Sequence, residues 1–263
     1  MTVIREPAVA GSFYPGDATQ LGRTVEFLLD EVRKVEGTAP KALIVPHAGY
    51  IYSGPVAATA YARLRPHRDQ YERVILLGPC HRVAVSGLAL SNADYFRTPL
   101  GDVPLDKPAI ASIHSPNVQV FDQTHTFEHS LEVHLPFLQR VLGRFTLVPI
   151  VVGNTMPEPV ADVLDELWGG AETLIVISSD LSHYLDYERA CRIDGQTRDA
   201  IEALDLHAID HETACGATPI GGLLLAARRH AMTVTTLDLR NSGDTAGDRR
   251  NVVGYGAWMF VEP

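Results

Sequence analysis

The chain has 263 residues, 46% of them hydrophobic and 21% charged, a composition that supports a full globular core. Its formal net charge of -10 excludes the electrostatic footprint of a nucleic-acid or anionic-membrane binder, leaving a neutral or cationic small molecule or a metal as the better ligand. The N-terminus MTVIREPAVAGSFYP has no basic region followed by an apolar core, and no apolar run approaches the roughly 20 residues that span a bilayer, so a cytoplasmic location is expected.

The first helical pattern runs from Asp17, its N-cap, to Val35. ALIVP from Ala42 then reads as a buried strand, followed by a helix over Gly54 to Leu64 and a second strand, VILLG from Val74. GLALS at Gly87 adds an edge strand, and a helix is expected from Phe127 to Leu142. Two more apolar strands, TLVPIVVG from Thr146 and TLIVIS from Thr173, enclose a helix from Glu158 to Leu167. Helices from Tyr187 to Ala203 and from Gly216 to His230 precede the strands TVTTLDL from Thr233 and VVGYGAWMF from Val252. Near-continuous hydrophobicity in four of these runs points to strands covered on both faces, as in a parallel sheet. Alternation with helices gives a three-layer α/β/α fold with a mostly parallel central sheet, and eight regular units for a closed barrel are not found. Apolar segments recur evenly from Lys41 to Phe260 with no linker, so residues 1–263 read as one domain.

Three scattered cysteines, Cys80, Cys191 and Cys215, form no CxxC pair and suit a reducing compartment. Cys80, beside His81, reads as a small buried residue before a ligand or nucleophile.

In an open α/β sheet, ligands bind where the strands end at their carboxyl side. His47 follows ALIVP, His81 follows VILLGPC, Asp180 and His183 follow TLIVISS, and Asp244 follows TVTTLDLRNSG. Two imidazoles and one carboxylate with open positions form the facial set of non-haem iron(II) oxygenases, which His47, His81 and Asp244 supply. Zinc accepts the same donors. Within SSDLSHY, Asp180 and His183 share a face if the chain makes a helical turn, so Asp180 would orient His183 as a general acid/base; equally, Ser178, Ser179 and Asp180 would cap a helix beginning near Leu181. The stretch HTFEHSLEVHLPF lacks HExxH; read as a helix, it separates His129 and His134 by roughly 140°, too far to clamp one ion. Glu128 and His134 are expected as pocket wall or as groups that orient the ligands from behind, with a purely structural role as the equal alternative, and GATPIGG at Gly216 as packing at a helix start. No Walker loop, GxGxxG after a strand or GxSxG elbow is present.

AVAGSFYP, VPHAGYIYSGPVAATAY, LLGPCH, EHSLEVHLPFL, SSDLSHY and NSGD with GYGAW together resemble the Memo family, from Pro7 to Trp258. Its bacterial and archaeal members are known as AmmeMemoRadiSam system protein B, and its animal members as cell-motility mediators. The resemblance implies a class III extradiol dioxygenase-like fold, one metal ion at His47, His81 and the residue after NSG, and His183 at the acid/base position. Tyr14, Tyr50 and Tyr52 are expected to line the pocket. Animal members carry a cysteine where Asp244 stands; the carboxylate favours iron(II), with manganese, copper and zinc as further candidates. The expectation is therefore an iron(II) dioxygenase-like enzyme acting on a small, catechol-type molecule. Its rivals are a metal-holding, partner-binding protein working with a radical-SAM system, and a zinc hydrolase.

Overall fold

Aliphatic and β-branched runs too apolar to leave either face in water build the centre of the molecule. In the computed structural model, which describes residues 2–33 and 37–263, the first half of the chain forms β1 (Ile4–Arg5), α1 (Ala18–Asp30), β2 (Ala42–Val45), α2 (Tyr50–Tyr61), β3 (Arg73–Pro79), β4 (Leu88–Leu90), β5 (Tyr95–Thr98), β6 (Gly101–Pro104), α3 (Lys107–Ala111), β7 (Val118–Val120) and α4 (Gln123–Thr126). The second half forms α5 (Leu135–Leu142), β8 (Thr146–Val152), α6 (Pro157–Glu166), β9 (Thr173–Ser178), β10 (His183–Leu185), α7 (Tyr187–Glu202), α8 (Ala217–Arg229), β11 (Thr233–Asn241), α9 (Ser242–Thr245) and β12 (Val252–Val261).

The large sheet runs β10-β12-β2-β9-β3-β8-β4-β7, with β11 along β12. Its centre, β2-β9-β3-β8, is parallel, whereas β12 and β4 flank it antiparallel, so the sheet is mixed. Side chains alternate between two cores. Leu43, Val45, Val74, Leu76, Leu174 and Val176 face one layer with α1, α2 and α5. Ile44, Ile75, Leu77, Ile175 and Ile177 face the other with α6, α7 and α8. This is the expected α/β/α architecture. Gly222 lets α8 lie against α6, where a Cβ would run into Val160, in keeping with packing rather than chemistry for GATPIGG. Among the described residues, no helix is long and apolar enough to cross a membrane.

Several boundaries differ from expectation. Helix α1 is capped by Asp17, whose carboxylate accepts from Gln20 N at 2.8 Å, but it stops at Asp30; the expected end at Val35 lies outside the described residues. GLALS is not the edge, because β7 pairs beyond it. The helix expected from Phe127 begins only at Leu135: Pro136 sits in its first turn, where a missing N–H costs nothing, and the preceding residues form an irregular segment and a short 3-10 turn. No helix follows Asp180; His183 opens β10 instead. The small sheet β1-β5-β6 was not foreseen, since strands of two to four residues carry no readable period.

Candidate functional site

Val45 ends β2 and Pro46 turns the chain, so His47 sits on the rim formed by the strands' carboxyl ends, buried at 2% exposure. Its Nδ1 lies 2.7 Å from Ser178 Oγ at the end of β9. The one hydroxyl hydrogen of Ser178 goes to the Ser130 carbonyl at 2.6 Å, so its oxygen accepts from Nδ1–H of His47. This tautomer leaves a lone pair on Nε2.

His81 follows β3 and is fixed in the same way by Glu128. The carboxylate accepts from His81 Nδ1–H at 2.8 Å and from its backbone N–H at 2.6 Å, freeing Nε2. It also accepts from the amides of His129 and Ser130, at 3.0 and 2.9 Å. Burial would raise the pKa of Glu128, but these hydrogen bonds prevail and bring it to about 2, so it stays ionised.

His129 lies on the irregular segment between α4 and α5, its ring packed against Phe13 at a tilt of 59°, with centroids 4.8 Å apart. The ring centroids of His47, His81 and His129 stand 4.8 to 5.4 Å apart. One ligand atom from each falls within 4.8 Å of the others, and no further group of three or more His, Cys, Asp or Glu does so among the described residues. Burial lowers the pKa of His47 well below its ordinary value and that of His129 to about 4, so both are neutral near pH 7. His129 Nδ1 is moreover buried without a hydrogen-bond partner. Three imidazoles converging on one point, that of His47 held from behind by Ser178 and that of His81 by Glu128, fit a divalent ion.

Phe13 is positioned by the N-terminal arm. Buried Arg5 donates to the carbonyls of His125 and Glu128 and to the Glu132 carboxylate. Glu132 in turn accepts from the amides of Ala8 and Val9 and from Tyr14 OH, at 2.7, 3.0 and 2.5 Å. Burial, and then the neighbouring carboxylate, raise the pKa of Tyr14.

The histidine triangle opens into a cleft of about 840 Å³, lined also by Asp180, His183, Tyr52, Tyr184 and Tyr255. Asp180 accepts from the amides of His47 and Ala48, at 2.7 and 3.3 Å, and its other oxygen lies 3.9 Å from His47 Nε2. Burial lifts its pKa to about 7. It therefore braces His47, where a hold on His183 was expected. Burial likewise lowers the pKa of His183. Next to it, Tyr184 has φ +57° and is 75% exposed at the rim, a left-handed conformation that is uncommon for a bulky residue.

The segment from Leu181 to His183 is held by β12 and by α7, where Asp194 Oδ1 accepts from Ser182 N at 3.1 Å. Burial raises the Asp194 pKa to about 6, so the folded chain binds this proton more tightly than the unfolded chain does. Stability then falls as pH rises from about 4 to about 6, by something of order 2 kcal/mol. Asp194→Asn, which keeps the acceptor, is expected to flatten that part of the profile in metal-free protein, measured by urea denaturation between pH 4 and 8.

Asp244 is not brought to the imidazoles. It caps its own helix: Oδ2 accepts from Asn241 N at 3.2 Å, completing a capping box, and Oδ1 accepts from Tyr187 OH at 2.7 Å. The structure sets His129 beside His47 and His81 in place of this carboxylate. Tyr52 lines the cleft, whereas Tyr14 and Tyr50 are buried behind it, the latter donating to the Val133 carbonyl at 2.6 Å. Cys80 turns away to the Val83 carbonyl, and His134 lies in the core, its Nδ1 2.8 Å from Tyr61 OH. Cys215, not singled out before, places its sulfur 3.4 Å from His47 Nε2, and burial pushes this thiol up to about 12.

Residues 5–259 match the family model described as Memo-like protein. The chain is 39% identical over 270 residues to a MEMO1 family protein of Aquifex aeolicus, covering 98% of this chain and 99% of that one. It is 38% identical to one from Methanosarcina acetivorans, with 98% and 99% covered, and 35% identical to one from Sulfolobus acidocaldarius, with 96% and 98% covered. A crystal structure of an uncharacterized Escherichia coli K12 protein superimposes with a TM-score of 0.53 at 11% identity, over 83% of this chain and 98% of that one, a likeness of fold alone. On the match of nearly its whole length, the chain belongs to the Memo family.

Proposed function

We propose that the chain is a mononuclear metal enzyme of the non-haem iron(II) dioxygenase type, with the ion held by His47, His81 and His129 and protons handled by His183 and Asp180. The observation that carries this reading is the meeting of three imidazoles at the floor of an open cleft that also holds His183 and Asp180, the latter with its pKa lifted by burial to about 7. When bound, iron(II) supplies a Lewis acid and a source of electrons for oxygen chemistry. Glu128 and Ser178 keep the imidazoles aimed, and Asp180 steadies the His47 backbone. His183, neutral through burial, takes a proton from a hydroxyl of a small substrate and returns it later in the cycle. The aromatic side chains of the cleft favour a flat, catechol-type molecule.

Three histidines are also a ligand set of catalytic zinc, which supports hydrolysis as the second reading. Free Cys80, Cys191 and Cys215 support a reducing, cytoplasmic setting for either.

The test is to load the protein with iron(II) under nitrogen, then admit air and follow oxygen uptake with a panel of catechols, with a zinc-loaded sample assayed on aryl esters in parallel. Turnover by the iron form is expected, with His183→Ala retaining the metal while losing about 10²- to 10⁴-fold in rate. Ester hydrolysis by the zinc form alone would favour the hydrolase. If a metal-loaded protein turned over neither class, the metal-holding, partner-binding alternative would take its place.

A further inference from the structure

Arg82 directly follows His81 at the end of β3, and its side chain lines the same cleft. The acidic groups nearby are committed elsewhere: Asp180 to the amides of His47 and Ala48, Glu128 to His81, and Asp248 to Arg250. Among the described residues, Arg82 has no ion-pair partner, although the chain as a whole carries a net charge of -10. A guanidinium beside a divalent-ion site is repelled by that ion, and an anion that lies between them relieves the repulsion.

We propose that Arg82 is the specificity-determining residue of the cleft, selecting flat ligands that carry a carboxylate. Its planar fork donates two parallel N–H bonds to the carboxylate, while Phe13, Tyr52, Tyr184 and Tyr255 enclose the ring. Where the acidic group sits on the ring sets which other edge faces His47, His81 and His129. This inference rests on the metal-centre reading for the orientation of the ligand, but not for the preference itself.

The experiment uses the full chain and measures bound metal first, for wild type, Arg82→Gln and Arg82→Lys. The iron(II)-loaded proteins are then titrated under nitrogen with 3,4-dihydroxybenzoate and with 4-methylcatechol, followed by calorimetry and tyrosine fluorescence. Metal-free samples are titrated with benzoate and benzyl alcohol. Wild type is expected to bind the carboxylate of each pair at least about 10-fold more tightly, a preference that weakens with added salt. Arg82→Gln should lose that preference while binding 4-methylcatechol and metal as wild type does, and Arg82→Lys should keep part of it. Equal affinities in wild type, or an undiminished preference in Arg82→Gln, overturn the proposal. A wild type that binds no metal yet prefers benzoate overturns only the metal reading.

Discussion

Replacing His129 by alanine is expected to weaken the binding of a divalent ion by more than about 100-fold, while Asp244→Ala leaves one ion per chain. Outer groups that merely orient a ligand are worth roughly 10- to 100-fold in metal affinity, so removing a ligand should exceed that range. His129 brings its ring to 4.8 Å from His81 and 5.4 Å from His47, with Phe13 packed against it. The oxygens of Asp244 are taken by Asn241 N and Tyr187 OH. Losing this cap costs about 1 kcal/mol of stability, which a denaturation curve reads separately from metal content. Metal analysis after loading with iron(II) under nitrogen decides the matter. Retention by His129→Ala together with loss in Asp244→Ala would mean that α9 opens around the ion and hands it the carboxylate.

The second large effect lies under the N-terminal arm. Arg5→Met removes a guanidinium that bonds the carbonyls of His125 and Glu128 and pairs with the Glu132 carboxylate, at side-chain exposures of 6% and 0%. Glu132 would remain a buried charge with no cation, a loss of about 3–5 kcal/mol measured by urea denaturation. Adding Glu132→Gln removes the orphan charge and is expected to recover a substantial part of that loss, since the pair rather than either residue is the unit. Because the same arm carries Phe13 onto His129, Arg5→Met should also weaken metal binding. A loss below about 1 kcal/mol would show that water enters and solvates Glu132.

How much of this was legible follows from local physics. The four central strands stood out because residues such as Leu43 and Ile44 are apolar on both faces, which few other contexts require. His47 and His81 were found by their positions just past two of those strands. His129 is hidden in the sequence because the stretch from Phe127 has a helical pattern; Pro136, which belongs in a first turn, is the signal that residues before Leu135 take another path. Asp244 was correctly placed just beyond β11, but Asn241 and Asp244, three apart, are the spacing of a capping box, and that local bond turns the carboxylate back. The link between Asp180 and His183 required a helical turn, whereas β12 draws this segment into extended pairing. The N-terminal arm joins Arg5 to Glu132 across 127 positions, a partnership no local pattern reveals.

The hydrogen bonds that hold the histidine triangle come from a serine and a carboxylate that are themselves tied to backbone groups: Ser178 to the Ser130 carbonyl, and Glu128 to three amides. The imidazoles of His47 and His81 are thus aimed before any ion arrives, so loading need not wait on folding and little ordering entropy is lost when the ion enters. Such a preformed nest of nitrogen donors follows the common affinity series of the transition metals and discriminates weakly among them. If an ion binds there in a living cell, its identity would be set by which metals the cell keeps free and in what amounts, and the same polypeptide expressed under different metal supplies would be isolated with different ions.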